Sequence, residues 1–102
     1  MLFLYIPTPN EPTAKKIARH LLQRKLIICA NIFPISSMYQ WEGKIADEKE
    51  VVLLLKTEEK LAKKVEGEVK KFHPYKIPCI AQLPVKVNKE YKEWVQKTVE
   101  EK

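Results

Sequence analysis

The sequence predicts an α+β domain built on one antiparallel sheet. Three observations lead to this expectation. The length of 102 residues suits a single domain. Hydrophobic residues make up 45% of the chain, which is enough to form a core. Apolar residues also alternate along the chain between strand spacing and helix spacing, in the order β-α-β-β-α-β-α. We therefore expect residues 1–102 to form one domain.

The first strand and helix are marked by an apolar run and its punctuation. Residues 2–6 are continuously apolar, as in a strand that is buried on both faces, and Pro7 ends the run. Asn10 is a suitable helix cap. The apolar stripe that follows has helical spacing and predicts a first helix from about Pro12 to Lys25.

A long, bent antiparallel hairpin is predicted next. Residues 26–33 are apolar and rich in isoleucine, and residues 37–41 alternate in polarity beyond a proline. Residues 42–44 supply a turn, and residues 51–56 form a short apolar strand. This hairpin outreaches the flanking helices, because a strand advances about 3.3 Å per residue and a helix 1.5 Å.

The last elements are a helix, an interrupted strand and a final helix. Thr57 is a suitable cap for the second helix, which Pro74 ends. Residues 77–87 alternate, but Pro78 and Pro84 restrict this strand to an edge or divide it. Asn88 is expected to cap a third helix. One face of that helix carries the residues Tyr91, Trp94, Val95, Thr98 and Val99.

The first six elements match the ferredoxin-like split βαβ arrangement, and the C-terminal helix is an addition to it. The tip of the hairpin would project with unpaired edges unless another chain paired with them. A symmetric oligomer is the simplest solution.

Composition excludes several classes of function. Two glycines are too few for a P-loop or a dinucleotide-binding loop, and no apolar run approaches the roughly 20 residues that span a membrane. The net charge of +6 comes from a surface rich in Lys and Glu, as in heat-tolerant proteins. Nucleic-acid binders usually depend on Arg, of which the chain has two, so we do not expect a nucleic-acid partner. Two cysteines make no disulfide scaffold, so we expect a cytoplasmic protein. No catalytic triad or carboxylate pair appears, and no enzyme is predicted.

Metal binding depends on few donors. Cys29, Cys79 and His73 are candidate ligands, although no CxxC or HxxxH pair predicts a preformed zinc site. Buried, inert thiols are the alternative for both cysteines. His73 either ends the second helix as a cap or acts as a ligand or proton carrier. We expect His20 to be a surface residue, since it lies off the apolar stripe.

Three other residues are candidates for a binding site. Tyr39 and Trp41 share one face of the hairpin and predict either interface core or a ligand platform. Lys56 stands between an apolar strand and a helix N-terminus, where it either holds a small anion or is ordinary solvated surface.

The sequence resembles the CutA family of divalent-cation-tolerance proteins over nearly its whole length. The resemblance rests on Cys29-Ala30-Asn31-Ile32, Ser37, Tyr39, Trp41, Gly43, Ile45, Leu55-Lys56-Thr57, His73-Pro74-Tyr75, Pro78 and Trp94. It implies a ferredoxin-like subunit in a tight homotrimer with paired edge strands, a cytoplasmic location, and a link to tolerance of copper and other divalent metals.

The family trimer is similar to that of the PII proteins, which bind small anionic effectors between subunits. The resemblance thereby implies an inter-subunit cleft with Cys29, Tyr39, Trp41, Lys56, His73 and Tyr75. Two positions that are often acidic in the family are Lys76 and Cys79 here, and a thiol shifts preference toward soft metals such as Cu(I). We expect a binding protein that holds copper or another divalent metal through Cys29, His73 and Cys79. The alternatives are a small-anion sensor and a trimer that docks an unknown protein partner.

Overall fold

A computed structural model describes residues 1–99 and confirms the α+β architecture. Its elements are β1 (Leu2–Thr8), α1 (Glu11–Gln23), β2 (Cys29–Trp41), β3 (Lys44–Thr57), α2 (Ala62–Phe72), β4 (Ala81–Pro84) and α3 (Lys89–Thr98). The strands form one antiparallel sheet in the order β2-β3-β1-β4, which is the ferredoxin-like order.

The core lies between one face of the sheet and the helices α1 and α2. Every second residue of β1 is buried, and Leu4 and Ile6 are fully enclosed. The intervening residues Phe3, Tyr5 and Pro7 are only half-buried. The prediction that this strand is buried on both faces was therefore wrong. The second face, which we call the open face, lacks the cover of α1 and α2.

Helix α1 begins as predicted. Oδ1 of Asn10 accepts a hydrogen bond of 2.8 Å from the backbone N–H of Thr13. The helix ends at Gln23, before the predicted Lys25, because Lys25 adopts a left-handed φ of 57°. The backbone N–H of Leu26 then bonds to the carbonyl of Leu21 at 3.0 Å and closes the turn.

The predicted hairpin is present and is longer than expected. β2 and β3 pair from Cys29 and Lys56 to Trp41 and Lys44. β1 pairs with β3 only from residue 51 onward. Residues 35–50 therefore extend beyond the end of β1, and we call them the arm. Residues 44–50 are mostly polar and were therefore not predicted as strand. Their polarity fits the arm, whose two faces are both largely exposed. The molecule measures 47 × 26 × 20 Å.

Of two predicted helix caps, Thr57 was wrong and Asn88 was confirmed in position only. The Thr57 hydroxyl does not cap α2; it donates a 2.6 Å hydrogen bond to the carbonyl of Leu26 and so ties β3 to the start of β2. A single 3₁₀ turn, Glu59–Leu61, leads into α2 instead. Asn88 precedes α3 but makes no capping hydrogen bond with its side chain.

The last strand is shorter than the alternating pattern of residues 77–87 indicated. β4 covers only four residues, because its pairing with β1 ends at Ala81 opposite Tyr5, and Pro78 has no N–H to extend it. On the predicted apolar face of α3, Val95 is buried, as is Val99 just after the helix, whereas Trp94 and Thr98 are exposed.

Charge is unevenly distributed over the layers. Residues 11–25 carry five cations and one carboxylate, and residues 62–72 carry four lysines and two glutamates. These two segments, which contain α1 and α2, therefore hold the whole net charge of +6, and the rest of the chain is neutral.

Candidate functional site

A groove of about 870 Å³ lies where the arm meets the segment that follows α2. This volume is within the range of small-molecule sites. We call it the arm groove. It is lined by Pro7, Pro9, Tyr39, Trp41, Glu48, Lys49, Glu50, Tyr75, Lys76, Ile77 and Cys79.

The arm contributes one wall of the groove. Residues directly opposite in antiparallel strands share a face. Ser37 pairs with Glu48, and Tyr39 pairs with Ala46, so Tyr39, Trp41 and both glutamates lie on the open face. The phenol of Tyr39 donates a hydrogen bond to Oε1 of Glu48. The strand pairing therefore places aromatic rings beside carboxylates.

His73 fixes the opposite wall. It ends α2, and its backbone N–H bonds to the carbonyl of Val69 at 2.9 Å. Its ring is buried, with Nε2 2.8 Å from the carbonyl oxygen of Pro7 and Nδ1 3.1 Å from the backbone nitrogen of Tyr75. Because the N–H of Tyr75 donates, Nδ1 is the acceptor and Nε2 carries the proton. The predicted capping role is confirmed.

Tyr75 connects this segment to the arm. Its hydroxyl donates a 2.5 Å hydrogen bond to Oε2 of Glu50. Its ring centroid lies 4.8 Å from that of His73. Burial, and then the bond to Glu50, raise the pKa of Tyr75 above its usual value. The hydrogen bond to Glu48 raises the pKa of Tyr39. Both phenols are thus held neutral beside negative charge.

The structure brings together four of the predicted site residues: Tyr39, Trp41, Tyr75 and Cys79 all line the arm groove. Cys79 is exposed. The alternative of a buried, inert thiol is therefore wrong for Cys79, because residues 77–80 are not part of a strand.

Glu48 and Glu50 were missed by the sequence interpretation. Their separation of two residues was the available signal, since within a strand such as β3 it places two carboxylates on one face. The signal was hidden by the polarity of residues 44–50, which resembled a loop.

Cys29 and Lys56 lie at the other end of the sheet, where they pair in register. Nζ of Lys56 stands 5.3 Å from the ring centroid of Phe3. Tyr39 follows Cys29 by ten residue steps along β2, which corresponds to about 33 Å along a strand. These two groups of residues cannot contact the same small ligand within one chain.

Within residues 1–99, no group of three or more His, Cys, Asp and Glu side chains is placed to hold a metal ion. His73 has both ring nitrogens engaged. His20 was predicted to be a surface residue; it lies on the outside of the helical layer but is partly buried. Its Nε2 bonds to Glu68 at 2.7 Å, and its ring packs on Phe72 with centroids 4.5 Å apart.

Comparisons with known proteins agree on one family. The family model described as CutA1 divalent ion tolerance protein matches residues 2–98. The chain is 42% identical over 99 residues to the divalent-cation tolerance protein CutA of Archaeoglobus fulgidus, covering 96% of this chain and 97% of that protein. The corresponding protein of Thermococcus kodakarensis is 41% identical over 99 residues, covering 96% and 95%.

Solved structures agree with the fold. The crystal structure of CutA1 from Pyrococcus horikoshii is similar with a TM-score of 0.93 and 35% identity, covering 99% of this chain and all of that one. A protein of Nostoc described as PII-like protein CutA, in apo form, has a TM-score of 0.89 and 25% identity, with 98% of each chain covered.

One of the similar structures has a stated cellular location. One similar structure, from Archaeoglobus fulgidus, is described as a periplasmic divalent cation tolerance protein, with a TM-score of 0.93, 42% identity, and coverage of 98% of this chain and all of that one. The cytoplasmic location stays a prediction. None of the helices within residues 1–99 has the length and apolar character needed to cross a bilayer.

Proposed function

The chain belongs to the CutA1 divalent ion tolerance family, and from this premise we propose that it serves divalent-cation tolerance by binding rather than by catalysis, as a homotrimer with ligand sites between subunits. The observation that carries this proposal is the separation of the site residues. Cys29 and Lys56 lie at one end of the open face, and Tyr39 lies about 33 Å away. A second copy is needed to unite the two groups.

The outer edge of β2 supports assembly. β2 is the terminal strand of the sheet, so within residues 1–99 its outer backbone groups have no partner strand. Exposed edges are usually protected by charged side chains or by a very short strand. The thirteen residues of β2 include no charged residue. Such an edge is suited to pairing with another copy of the chain.

Exposed apolar side chains on the arm point to the same conclusion. Met38 is 69% exposed and Ile45 is 72% exposed, on the face of the arm that continues the core side of the sheet. Contacts between copies would remove both from water. The other sheet edge, β4, is short and differs from β2, so a head-to-tail ring is the natural closed arrangement.

Light scattering after size-exclusion chromatography tests the assembly. We expect a particle with three times the 12.0 kDa mass of one chain. Met38→Lys should shift the population toward smaller species at low micromolar concentration, whereas the control Gln23→Lys, at an exposed position of α1, should not. A well-folded monomer of the unaltered protein would overturn the proposal.

For the metal, we propose that Cu(I) is bound by the thiolates of Cys29 and Cys79 from adjacent copies. Soft thiolates suit this ion. His73 was the third predicted ligand, but it would first have to give up its bond to Pro7 or to Tyr75. Its role in the proposal is to position the segment that carries Cys79.

Competition titrations of Cu(I) against a chromogenic chelator test the donor set. Cys29→Ser and Cys79→Ser should each lower the affinity, and the double variant should lose binding. Met38→Leu serves as the control for loss of an exposed thioether. Equal affinities in the unaltered protein and the double cysteine variant would reject these ligands.

A small anion at Lys56 is the second candidate. It is favoured by the likeness to the PII-like protein of Nostoc and by the position of Lys56 over Phe3, beside Cys29. Thermal-shift measurements with ATP, citrate and phosphate should detect stabilisation that Lys56→Ala removes and Lys49→Ala retains. Absence of any shift across these three anions would count against this candidate.

A further inference from the structure

The arm groove combines two carboxylates with three aromatic side chains. Glu48 and Glu50 each accept one hydrogen bond from a tyrosine hydroxyl. A carboxylate has about four acceptor positions, so both retain acceptor capacity toward the groove. The phenols therefore orient the carboxylates without saturating them.

The aromatic residues offer ring surface to the same space. Tyr39, Trp41 and Tyr75 line the groove and remain between 37% and 63% exposed. Aromatic faces attract cations, and Trp does so most strongly. Pro7, Pro9 and Ile77 add apolar lining that suits methylene groups. The groove thus presents an aromatic and apolar channel with anionic groups along one wall.

The spacing of the carboxylates defines the ligand further. Glu48 and Glu50 are two residues apart on one strand, so their Cα atoms are about 6.8 Å apart. The two ammonium groups of an extended four-carbon diamine are separated by a comparable distance. One cation can therefore meet each carboxylate while the carbon chain lies along the aromatic rings.

We propose that the arm groove binds short aliphatic diamines, with one ammonium group at Glu48 and the other at Glu50. A metal dication fits this space less well, because no three-donor cluster occurs within residues 1–99. Two lysines also border the groove. Lys49 belongs to the opposite face of β3, and Lys76 lies in the segment after Tyr75. Cys79 lines the same groove, so the proposal rests on the proposed function in one respect: the homotrimer must leave the carboxylate wall of the groove open.

Isothermal titration of the full chain with 1,4-diaminobutane tests the proposal. Glu48→Gln and Glu50→Gln should each weaken binding about tenfold or more, because each removes a charge-assisted hydrogen bond. Asp47→Asn is the matched control, since it removes a charge from the same strand on the opposite face and should leave the affinity unchanged. Trp41→Leu should weaken binding, and Lys76→Ala should strengthen it.

Ligand controls separate a two-point site from general ionic attraction. Butylamine, with one charge, and 1,2-diaminoethane, with a shorter span, should bind more weakly than 1,4-diaminobutane. Equal binding of butylamine and the diamine, or an equal loss in Asp47→Asn, would overturn the proposal. So would Mg²⁺ that binds in the same concentration range and loses affinity in Glu48→Gln.

Discussion

Nε2 of His20 lies 2.7 Å from Oε1 of Glu68 and links α1 to α2 across the outside of the helical layer. The same carboxylate accepts bonds from Nη1 of Arg24 at 3.0 Å and from Nζ of Lys71 at 2.7 Å. Three basic groups thus surround a largely buried carboxylate. Glu68 therefore binds basic side chains from both helical segments that carry the net positive charge.

Glu68→Gln should lower the melting temperature at neutral pH. The bond from Lys71 lowers the pKa of Glu68 most, followed by the bond from His20, and together with the charge of Arg24 they bring it to about 2. A depressed pKa in the folded state stabilises it above the unfolded value of 4.5, and this stabilisation disappears as the pH falls toward 2. Melting curves of both proteins should therefore converge between pH 4.5 and 2.

Glu66→Gln is the control for Glu68, because within residues 1–99 Glu66 pairs at the surface with Lys70 and Gln82. It should change the melting temperature little at any pH. A Glu68→Gln deficit that persists unchanged at pH 2 would contradict the assignment of its stabilising effect to the ionised carboxylate.

His73→Ala should destabilise the fold by about 1–3 kcal/mol, as is typical when buried hydrogen-bonding groups lose their partner. The carbonyl of Pro7 and the backbone N–H of Tyr75 are the groups left without one. Chemical denaturation at fixed protein concentration measures the effect. Tyr75→Phe keeps the backbone bond to His73 and loses only the bond to Glu50, so its effect should be smaller. Equal stability of the unaltered protein and His73→Ala would contradict the structural role.

The two glycines should respond to alanine with opposite signs. Gly43 follows Glu42 in the turn of the arm, and their φ angles of 78° and 48° define a turn in which both central residues are left-handed. Gly43→Ala should cost about 1–2 kcal/mol from backbone strain alone, since no atom lies within 4 Å of the added Cβ. Gly67→Ala, in α2 and equally open, should stabilise by about 0.5–1 kcal/mol. Urea unfolding of both variants checks the signs, and a shared sign would contradict these conformations.

The two thiols should differ in reactivity. Cys79 is exposed, whereas Cys29 is half-buried in β2 beside Lys56. Accessibility governs reaction with a thiol-specific reagent when neither thiol is specially activated. We expect one fast and one slow labelling phase, and the fast phase should be absent in Cys79→Ser. A fast phase that survives in Cys79→Ser would show that Cys29 is the accessible thiol.

Much of the fold was predictable because most helices and strands bury one face, and this burial produces a periodic pattern of apolar residues in the sequence. The stripe of α1 and the cap at Asn10 are local features, and both were found. The arm was under-predicted, since residues 44–50 pair with β2 without burying a face and so show no apolar alternation. Thr57 was assigned to the wrong partner because its hydroxyl bonds to Leu26, which is distant in sequence.

The candidate site was predicted in part for the same reason. Tyr39 and Trp41 share a strand face, which their spacing shows directly. The meeting of Tyr75 with Glu50 depends on how the segment after α2 passes the end of β1, and no spacing rule contains that path. The distance of about 33 Å between Cys29 and Tyr39 depends on β2 being continuous through Pro34, which the sequence pattern did not indicate.

The confinement of all excess charge to α1, α2 and their flanking residues bears on how copies of the chain approach one another. Two copies that collide with their helical surfaces facing repel, whereas the uncharged edge of β2 meets no such barrier. Electrostatic repulsion therefore favours encounters in which the helical surfaces face away from each other, and added salt weakens this preference by shortening the range of the repulsion.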